Sequence, residues 1–200
     1  MRKKIILGIV VLAAIVGAVY FNMNYAIVYE DRGTKKCIVS ADVTEIIDKK
    51  YDWETFVKCT PSLKKLTKLK SIQLIAEEDM NLKYLSKMKN LNELTILYFD
   101  SYNECKVKFE TLPNLPNLKK LFLMDLKFEG YQTHFTLPDG IEYNFDSIET
   151  LVIYGNQYFD IDCLKHFKKL KNLEIATDNL KLTDEQIEEL QSRGITVKFL

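Results

Sequence analysis

Hydrophobic positions along this chain change their spacing within short segments, and the same change recurs. In the stretch 164–175, apolar residues fall three apart up to Leu173 and then two apart at Ile175. A spacing of three or four residues is typical of helical turns, whereas a spacing of two is typical of a strand with one buried face. Each such segment therefore predicts helical turns that lead into a short strand.

The pattern L-x-x-L-x-L marks five of these segments. The copies are Leu69/Ile72/Leu74, Leu91/Leu94/Ile96, Leu118/Leu121/Leu123, Ile148/Leu151/Ile153 and Leu170/Leu173/Ile175, with a partial copy at Ile195/Val197. They begin at residues 69, 91, 118, 148, 170 and 192, so the steps between them are 22, 27, 30, 22 and 22 residues. Recurrence at such intervals is typical of proteins built from stacked structural repeats.

In these copies the chain resembles the leucine-rich repeat family, and most closely the 22-residue class of bacterial internalin-like proteins. The resemblance spans roughly residues 60–199. It implies an α/β fold, namely a curved solenoid with a parallel sheet on its concave side and helical or irregular turns on its convex side. It also favours a bacterial source.

The chain departs from the family pattern in its turns. The asparagine that the family places three positions after the strand motif is present only as Asn156. The equivalent positions are occupied by Glu77, Phe99, Leu126 and Asp178. We therefore expect irregular turns, with the middle repeats least regular.

A helical cap is predicted before the repeats, in the segment 37–62. Cys37–Val39 is a candidate first strand, and Asp42-Val43-Thr44-Glu45 fits a capping box. The apolar positions after this box predict a helix over residues 42–58. Such a cap would close the open end of the solenoid.

A second helical cap is predicted at the end of the repeat region, which spans 63–200. Thr183-Asp184-Glu185-Gln186 is another capping box, and Gly194 is placed to end the helix that it starts. Ile195–Leu200 then forms a last strand.

A long apolar run precedes the repeats. Residues 1–4 read MRKK, and seventeen consecutive apolar residues follow, Ile5–Phe21. At about 1.5 Å per residue this run covers about 25 Å of a hydrocarbon core about 30 Å thick. The basic tip favours a cytoplasmic N-terminus, so Ile5–Phe21 is predicted to be a single-pass transmembrane anchor, followed by a tether at 22–36 and an exported repeat domain. The alternative is a signal peptide cleaved after Val16-Gly17-Ala18, which would release a secreted protein.

The strand register predicts a binding face. In an x-L-x-L-x strand the leucines point into the core and the residues between them point to the concave face. The outward residues of the middle strands form an apolar concave patch, Leu97, Phe122, Met124, Val152 and Tyr154. Its rim is polar, with Gln73, Glu93, Lys120 and Glu174.

An apolar patch inside a polar rim favours a site for a protein or another envelope macromolecule. The alternative is that extra sequence in the two long repeats, at 98–111 and 125–144, folds over the patch as a lid. The protein would then be a structural or assembly component of the cell envelope with no exposed ligand site.

Composition narrows the remaining function classes. The chain has 28 basic and 28 acidic residues, which argues against a nucleic-acid partner. Lysines that recur in phase, in segments such as 64–70 and 165–171, predict a solvated face, or alternatively a basic stripe for an anionic surface. The two histidines, His134 and His166, stand in no metal-ligand or nucleophile–base motif, so we expect no enzyme, metal or cofactor.

The four cysteines are too few for a disulfide scaffold in a chain of 200 residues. An exported location nevertheless permits oxidation, and a bridge between Cys37 and Cys59 would tie the N-terminal cap. Four cysteines allow three pairings, so the connectivity stays open.

Overall fold

The chain folds as an α/β structure in which a parallel sheet is the largest element. The computed structural model describes residues 13–21, 23–30, 35–40, 42, 44–52, 65–76, 80–99, 107–126, 134–135, 137, 139–155, 158–177 and 180–200. Its strands in chain order are β1 (Tyr25–Glu30), β2 (Lys35–Ser40), β3 (Glu45–Asp52), β4 (Ser71–Ala76), β5 (Met80–Asn81), β6 (Glu93–Phe99), β7 (Val107–Lys108), β8 (Lys120–Leu126), β9 (His134–Phe135), β10 (Thr150–Tyr154), β11 (Tyr158–Phe159), β12 (Asn172–Ala176) and β13 (Thr196–Phe199). Its helices include the 3-10 helices Leu82–Lys87, Phe109–Thr111 and Ile161–His166 and the α-helix Asp184–Ser192.

Seven of the described strands form the main sheet, in the order β13-β12-β10-β8-β6-β4-β3. All neighbouring strands in this sheet are parallel, and from β4 onward they follow their order in the chain. Leu94 lies opposite Leu121, which lies opposite Leu151, so each strand is displaced from the next by one sequence repeat. The strands predicted at the five L-x-x-L-x-L copies are confirmed.

The repeated leucines form two core columns that cross the sheet. The first column is Ile72, Leu94, Leu121, Leu151, Leu173 and Val197, and the second is Leu74, Ile96, Leu123, Ile153, Ile175 and Phe199. In the five complete copies, the three motif residues are at most 6% exposed. Burial of these side chains on one face is the main stabilising contribution to this sheet.

The turn before each strand is also repeated. In every complete copy, the first residue donates its N–H to the carbonyl three residues earlier. Two examples are Leu69 to Leu66 at 3.2 Å and Leu118 to Leu115 at 3.0 Å. This bond makes a tight helical turn, which is why the apolar spacing upstream of each strand is three.

A short hydrogen-bond ladder joins consecutive turns just before the strands. Asn90 Nδ2 donates to the Thr67 carbonyl at 2.8 Å, and Asn117 Nδ2 donates to the Lys89 carbonyl at 2.9 Å. Ser147, at the equivalent position of the next copy, donates to the Leu115 carbonyl at 2.9 Å. Side chains at this position therefore satisfy carbonyl groups of the preceding turn. Asn156, the asparagine that matches the family pattern, lies outside the described residues.

The side of the core opposite the main sheet is less regular, in keeping with the prediction for the turns. Two-residue parallel pairs, β5 with β7 and β9 with β11, alternate there with the 3-10 helices. Stacked aromatic rings join the 30-residue repeat to the next one, with Phe145 and Phe167 at 4.4 Å and Phe135 and Phe159 at 5.1 Å between ring centroids.

The helical N-terminal cap predicted over 42–58 is wrong where the structure describes it, because Glu45–Asp52 is the strand β3. β3 pairs parallel with β4, with a register shift between Ile46 and Tyr51. Without this strand, the N–H and C=O groups of β4 would stand at an open sheet edge. A strand satisfies these groups and a helix does not, so pairing overrides the local helix signal. Residues 53–62 of the predicted cap lie outside the described residues.

The predicted tether at 22–36 is also corrected in part. Tyr25–Glu30 is the strand β1, and it pairs antiparallel with β2. Its sequence YAIVYE is rich in aromatic and β-branched residues, which favour strands. β2 confirms the strand predicted at Cys37–Val39.

The C-terminal helix and the last strand are confirmed. Gln186 N–H donates to Thr183 Oγ1 at 3.2 Å, and Thr183 N–H donates to Gln186 Oε1 at 2.9 Å, which completes the capping box. Gly194 has a φ of 78°, a left-handed conformation that turns the chain into β13.

Only part of the predicted anchor is described. Residues 13–21 are helical, and residues 5–12 lie outside the described part. Within the described ranges, no helix combines the length and the apolar character needed to cross a bilayer.

The register predicts unequal costs for neighbouring substitutions. Leu121→Ala should lower the free energy of unfolding by about 2–5 kcal/mol, because it leaves a cavity in a fully buried core column. Phe122→Ala should cost much less, since that side chain lies on the opposite face and is only half-buried. Chemical denaturation of both variants measures the difference, and equal losses would contradict the assigned register.

Candidate functional site

Three rows of side chains cross the face of the main sheet that lies opposite the core. The first row is Ser71, Glu93, Lys120, Thr150, Asn172 and Thr196. The second row is Gln73, Thr95, Phe122, Val152, Glu174 and Lys198. The third row is Leu97, Met124, Tyr154 and Ala176. Because pairing is residue for residue, side chains that are one repeat apart in sequence become lateral neighbours in space.

The register brings the five residues of the concave patch together. Leu97, Met124 and Tyr154 follow one another in the third row, and Phe122 lies beside Val152 in the second. Every member of the patch therefore has another member as a neighbour on the adjacent strand.

Their exposure is unequal. Tyr154 is 46% exposed, and Phe122 and Met124 are half-buried. Leu97 and Val152, in contrast, are only 2% and 4% exposed, so the expectation that they face solvent is wrong. Neither belongs to the core cluster. The accessible part of the patch is thus Phe122, Met124 and Tyr154.

The position of Val152 gives one physical reason for its burial. It lies between Phe122 and Glu174 in its row, and both of these side chains extend further from the sheet than a valine does. Since neighbouring strands are only about 4.8 Å apart, longer side chains on both sides shield a short one. Residues 100–106 and 127–133, which belong to the two segments predicted to form a lid, lie outside the described residues.

The rim residues are polar and half-buried. Lys120 Nζ lies 4.6 Å from the ring centroid of Phe122, in a cation–π contact along the same strand face. Ser71 Oγ donates to Glu93 Oε1 at 3.4 Å, and Glu174 lies opposite Lys198 in the pairing of β12 with β13. The apolar centre is therefore bordered by groups of both charges, which suits recognition of a mixed apolar and polar partner surface.

Several of the lysines that recur in phase are held in ion pairs, namely Lys68, Lys165, Lys168 and Lys171. Lys165 Nζ lies 2.6 Å from an Asp139 carboxylate oxygen, and Lys168 Nζ lies 3.2 Å from an oxygen of Asp146. Such exposed pairs contribute little to stability, but they neutralise the lysine charge locally. The pairing favours a solvated face over a basic stripe.

Glu149 is held between two lysines from neighbouring repeats. Its two carboxylate oxygens lie 2.7 Å from Lys119 Nζ and 2.6 Å from Lys171 Nζ. The hydrogen bond from Lys119, followed by that from Lys171, lowers the pKa of the Glu149 carboxyl to about 2. This contact is not among the features predicted from the sequence. Alignment of the copies could have shown it, since Lys119, Glu149 and Lys171 each follow the first residue of their motif.

Cys163 is buried and has no disulfide partner. Its Sγ accepts the backbone N–H of Leu137 at 3.2 Å, and burial raises the pKa of the thiol to about 11. The thiol is therefore protonated at neutral pH and is a poor nucleophile. Cys59 lies outside the described residues, so its bridge to Cys37 stays a prediction.

His166 lies in the same repeat as Cys163. Its Nε2 atom is buried without a hydrogen-bond partner, and its ring makes an edge contact with Tyr143 at 4.8 Å between centroids. In the described part of the chain, no cluster of three or more histidine, cysteine or acidic side chains is placed to hold a metal ion.

Comparison with known proteins adds no identity to this geometry. The chain matches no protein-family model, and no curated protein is significantly similar to it. Function is therefore inferred from the fold and from the sheet face opposite the core.

The lysine pair around Glu149 predicts a pH dependence. The folded-state pKa of Glu149 lies below its usual value of 4.5, so its contribution to stability is present above about pH 4.5 and is lost as the pH falls toward about 2. Glu149→Gln should flatten the loss of stability in this window, measured as the urea midpoint against pH. The paired variant Lys119→Gln/Lys171→Gln should flatten it as well, because the carboxylate loses both partners. A pH profile of Glu149→Gln identical to that of the unchanged protein would contradict this account.

Proposed function

We propose that this protein is a membrane-anchored, extracytoplasmic leucine-rich repeat protein that binds a protein or another envelope macromolecule through its concave sheet face. The repeat architecture is supported by parallel strands displaced by one sequence repeat and by burial of the same three positions in each copy. Strands joined in this way on one side, with bulkier turns on the other, bend into a solenoid.

The observation that carries the binding proposal is the accessible part of the concave patch. Phe122, Met124 and Tyr154 lie on the adjacent strands β8 and β10, at the centre of a face whose first row is polar. Water is a poor solvent for these side chains, so their burial against a partner lowers the free energy. Aromatic side chains inside a polar rim are also the usual sites of concentrated binding energy.

The proposed membrane location of the protein rests on the apolar run. Ile5–Phe21 is preceded by MRKK, and a basic flank on one side favours insertion with that side in the cytoplasm. The repeat domain would then be held close to the outer surface of the membrane and would meet partners in the cell envelope.

A structural or assembly role in the envelope is the second candidate. It is favoured by the burial of Leu97 and Val152, which reduces the apolar area available to a ligand. The lid considered for the two long repeats would extend this burial to Phe122 and Met124.

A double substitution on the concave face separates the two candidates. Phe122→Ser/Tyr154→Ser should abolish capture of the partner, because it removes both aromatic side chains from the accessible patch. Thermal stability should change little, since neither side chain belongs to the core cluster. Replacing Tyr154 with a photo-crosslinking amino acid in intact cells, followed by mass spectrometry, identifies the partner that the double variant is tested against.

The matched control is Lys165→Glu/Lys168→Glu, which changes exposed side chains outside the concave rows and should leave capture almost normal. Unfolding of the Phe122→Ser/Tyr154→Ser variant would show that the patch is core beneath a lid. A folded double variant that still captures its partner would place the binding face elsewhere.

The anchor has its own test. Full-length protein should remain in the membrane fraction through alkaline extraction, because an apolar span of this length is not released by high pH. N-terminal sequencing should find no mature chain that begins at Val19. A soluble protein starting there would show that the run is a cleaved signal peptide.

A further inference from the structure

The outermost strand of the described main sheet, β13, leaves part of the core uncovered. Phe199 ends the second core column, next to Ile175, which is 1% exposed. The Phe199 side chain itself is 55% exposed. Val197 ends the first core column and is half-buried against the core. Two buried columns thus end at one edge without an apolar cover.

The backbone of β13 is also open at this edge. Thr196 N–H donates to the Lys171 carbonyl at 2.7 Å, and Leu200 N–H donates to the Ile175 carbonyl at 2.8 Å. Along a strand, alternate residues direct their N–H and C=O groups to opposite sides. Val197 and Phe199 therefore direct theirs away from β12, toward a side where the described part of the sheet has no further strand. Such an edge is a template for pairing with another strand.

We propose that β13 pairs antiparallel with β13 of a second copy of this chain, about a two-fold axis that passes between the two Lys198 residues. In this register Val197 of each copy lies opposite Phe199 of the other. Each of these two symmetry-related pairs exchanges both N–H···O bonds, as directly opposed residues of a hydrogen-bonded antiparallel pair do. All outward groups of Val197 and Phe199 are then satisfied.

The same register covers the exposed core. Phe199 packs beside Val197 of the second copy, an aromatic and β-branched pair of the kind that stabilises antiparallel strands. An antiparallel copy of β13 supplies a β-branched residue opposite Phe199 and an aromatic residue opposite Val197. A single antiparallel strand therefore covers both Phe199 and Val197, and the core columns continue from one copy into the other.

Other two-fold registers satisfy fewer of the outward N–H and C=O groups of Val197 and Phe199. An axis at Val197 would set Phe199 opposite Ile195, whose N–H already donates to the Leu190 carbonyl at 3.0 Å. An axis at Phe199 would leave Val197 opposite no residue of β13. The register about Lys198 is therefore favoured.

The axis has a consequence on the concave face. It brings the two Lys198 side chains together, and like charges directly opposite each other weaken an antiparallel pair. Each Lys198 lies beside Glu174 of its own copy. The second row then runs Glu174, Lys198, Lys198, Glu174 across the dimer, so that charges balance and the two concave faces form one continuous surface.

Cysteine crosslinking of the full-length chain in detergent tests the register. Lys198→Cys should form a covalent dimer on mild oxidation, because Cα atoms of a non-hydrogen-bonded pair lie about 4.5 Å apart, within the range of a disulfide. Glu174→Cys is the matched control, since three strand spacings, about 14 Å, would separate its two copies. The unchanged protein shows any crosslinking through the native cysteines.

Sedimentation velocity tests the interaction without a crosslink. Phe199→Pro removes the outward N–H and keeps the bond from Leu200 to Ile175, so it should raise the dimer dissociation constant at least about tenfold, given two lost hydrogen bonds. Phe199→Ala should weaken the dimer through the lost side-chain contact. Lys198→Gln should strengthen it by removing the like-charge pair. Circular dichroism verifies folding, and Phe199→Ala carries the test if the proline variant is unfolded.

A chain that stays monomeric at all accessible concentrations, with Lys198→Cys crosslinking no better than Glu174→Cys, would overturn the proposal. So would a dimer that neither Phe199→Pro nor Phe199→Ala weakens, because it would then be formed by another surface.

Discussion

Parallel backbone pairing between successive repeats aligns the side chains of the described main sheet. It sets Leu121 between Leu94 and Leu151, and it does so for every motif position at once. A shift of one residue in a single strand would turn its buried side chains to the opposite face. Since each interior strand of the sheet packs beside two neighbours, such a shift would cost the packing of two repeats. The regular register is therefore strongly specified despite steps of unequal length in the chain.

This constraint also arranges the side chains on the sheet face opposite the core. The pairing that aligns leucines in the core aligns the residues between them in rows, so Phe122, Met124 and Tyr154 become neighbours although about 30 residues separate the two strands that carry them. The same alignment places Glu149 between Lys119 and Lys171, and Asn117 beside the turn that contains Lys89. Residues at equivalent positions in successive repeats are therefore lateral neighbours in the structure.

The ends of the sheet differ from its interior, because in the described part of the chain each end strand pairs with a neighbour on one side only. At β4 the open edge is paired by β3, even though the sequence there carries a helix-capping signal. At the opposite end the helix Asp184–Ser192 packs near β13 without covering Phe199, which is why that edge carries both exposed apolar surface and open backbone groups. The need to pair backbone N–H and C=O groups explains why β3 pairs with β4 at the first end. The same need at β13 is the reason for the dimer inferred at the second end.

The repeated strands, their phase and the C-terminal cap could be predicted from the sequence. These depend on local patterns, namely the buried positions of each motif, the capping box at Thr183 and the left-handed turn at Gly194. The pairing of residues 45–52 as a strand and the formation of β1 by residues 25–30 became evident only in the folded structure. The burial of Leu97 and Val152 and the exposure of Tyr154 also became evident only there. Alternation along a strand indicates which face a side chain occupies. The exposure of that side chain depends on neighbours that are distant in the chain. The pairing of an open sheet edge also depends on residues that are distant in the chain.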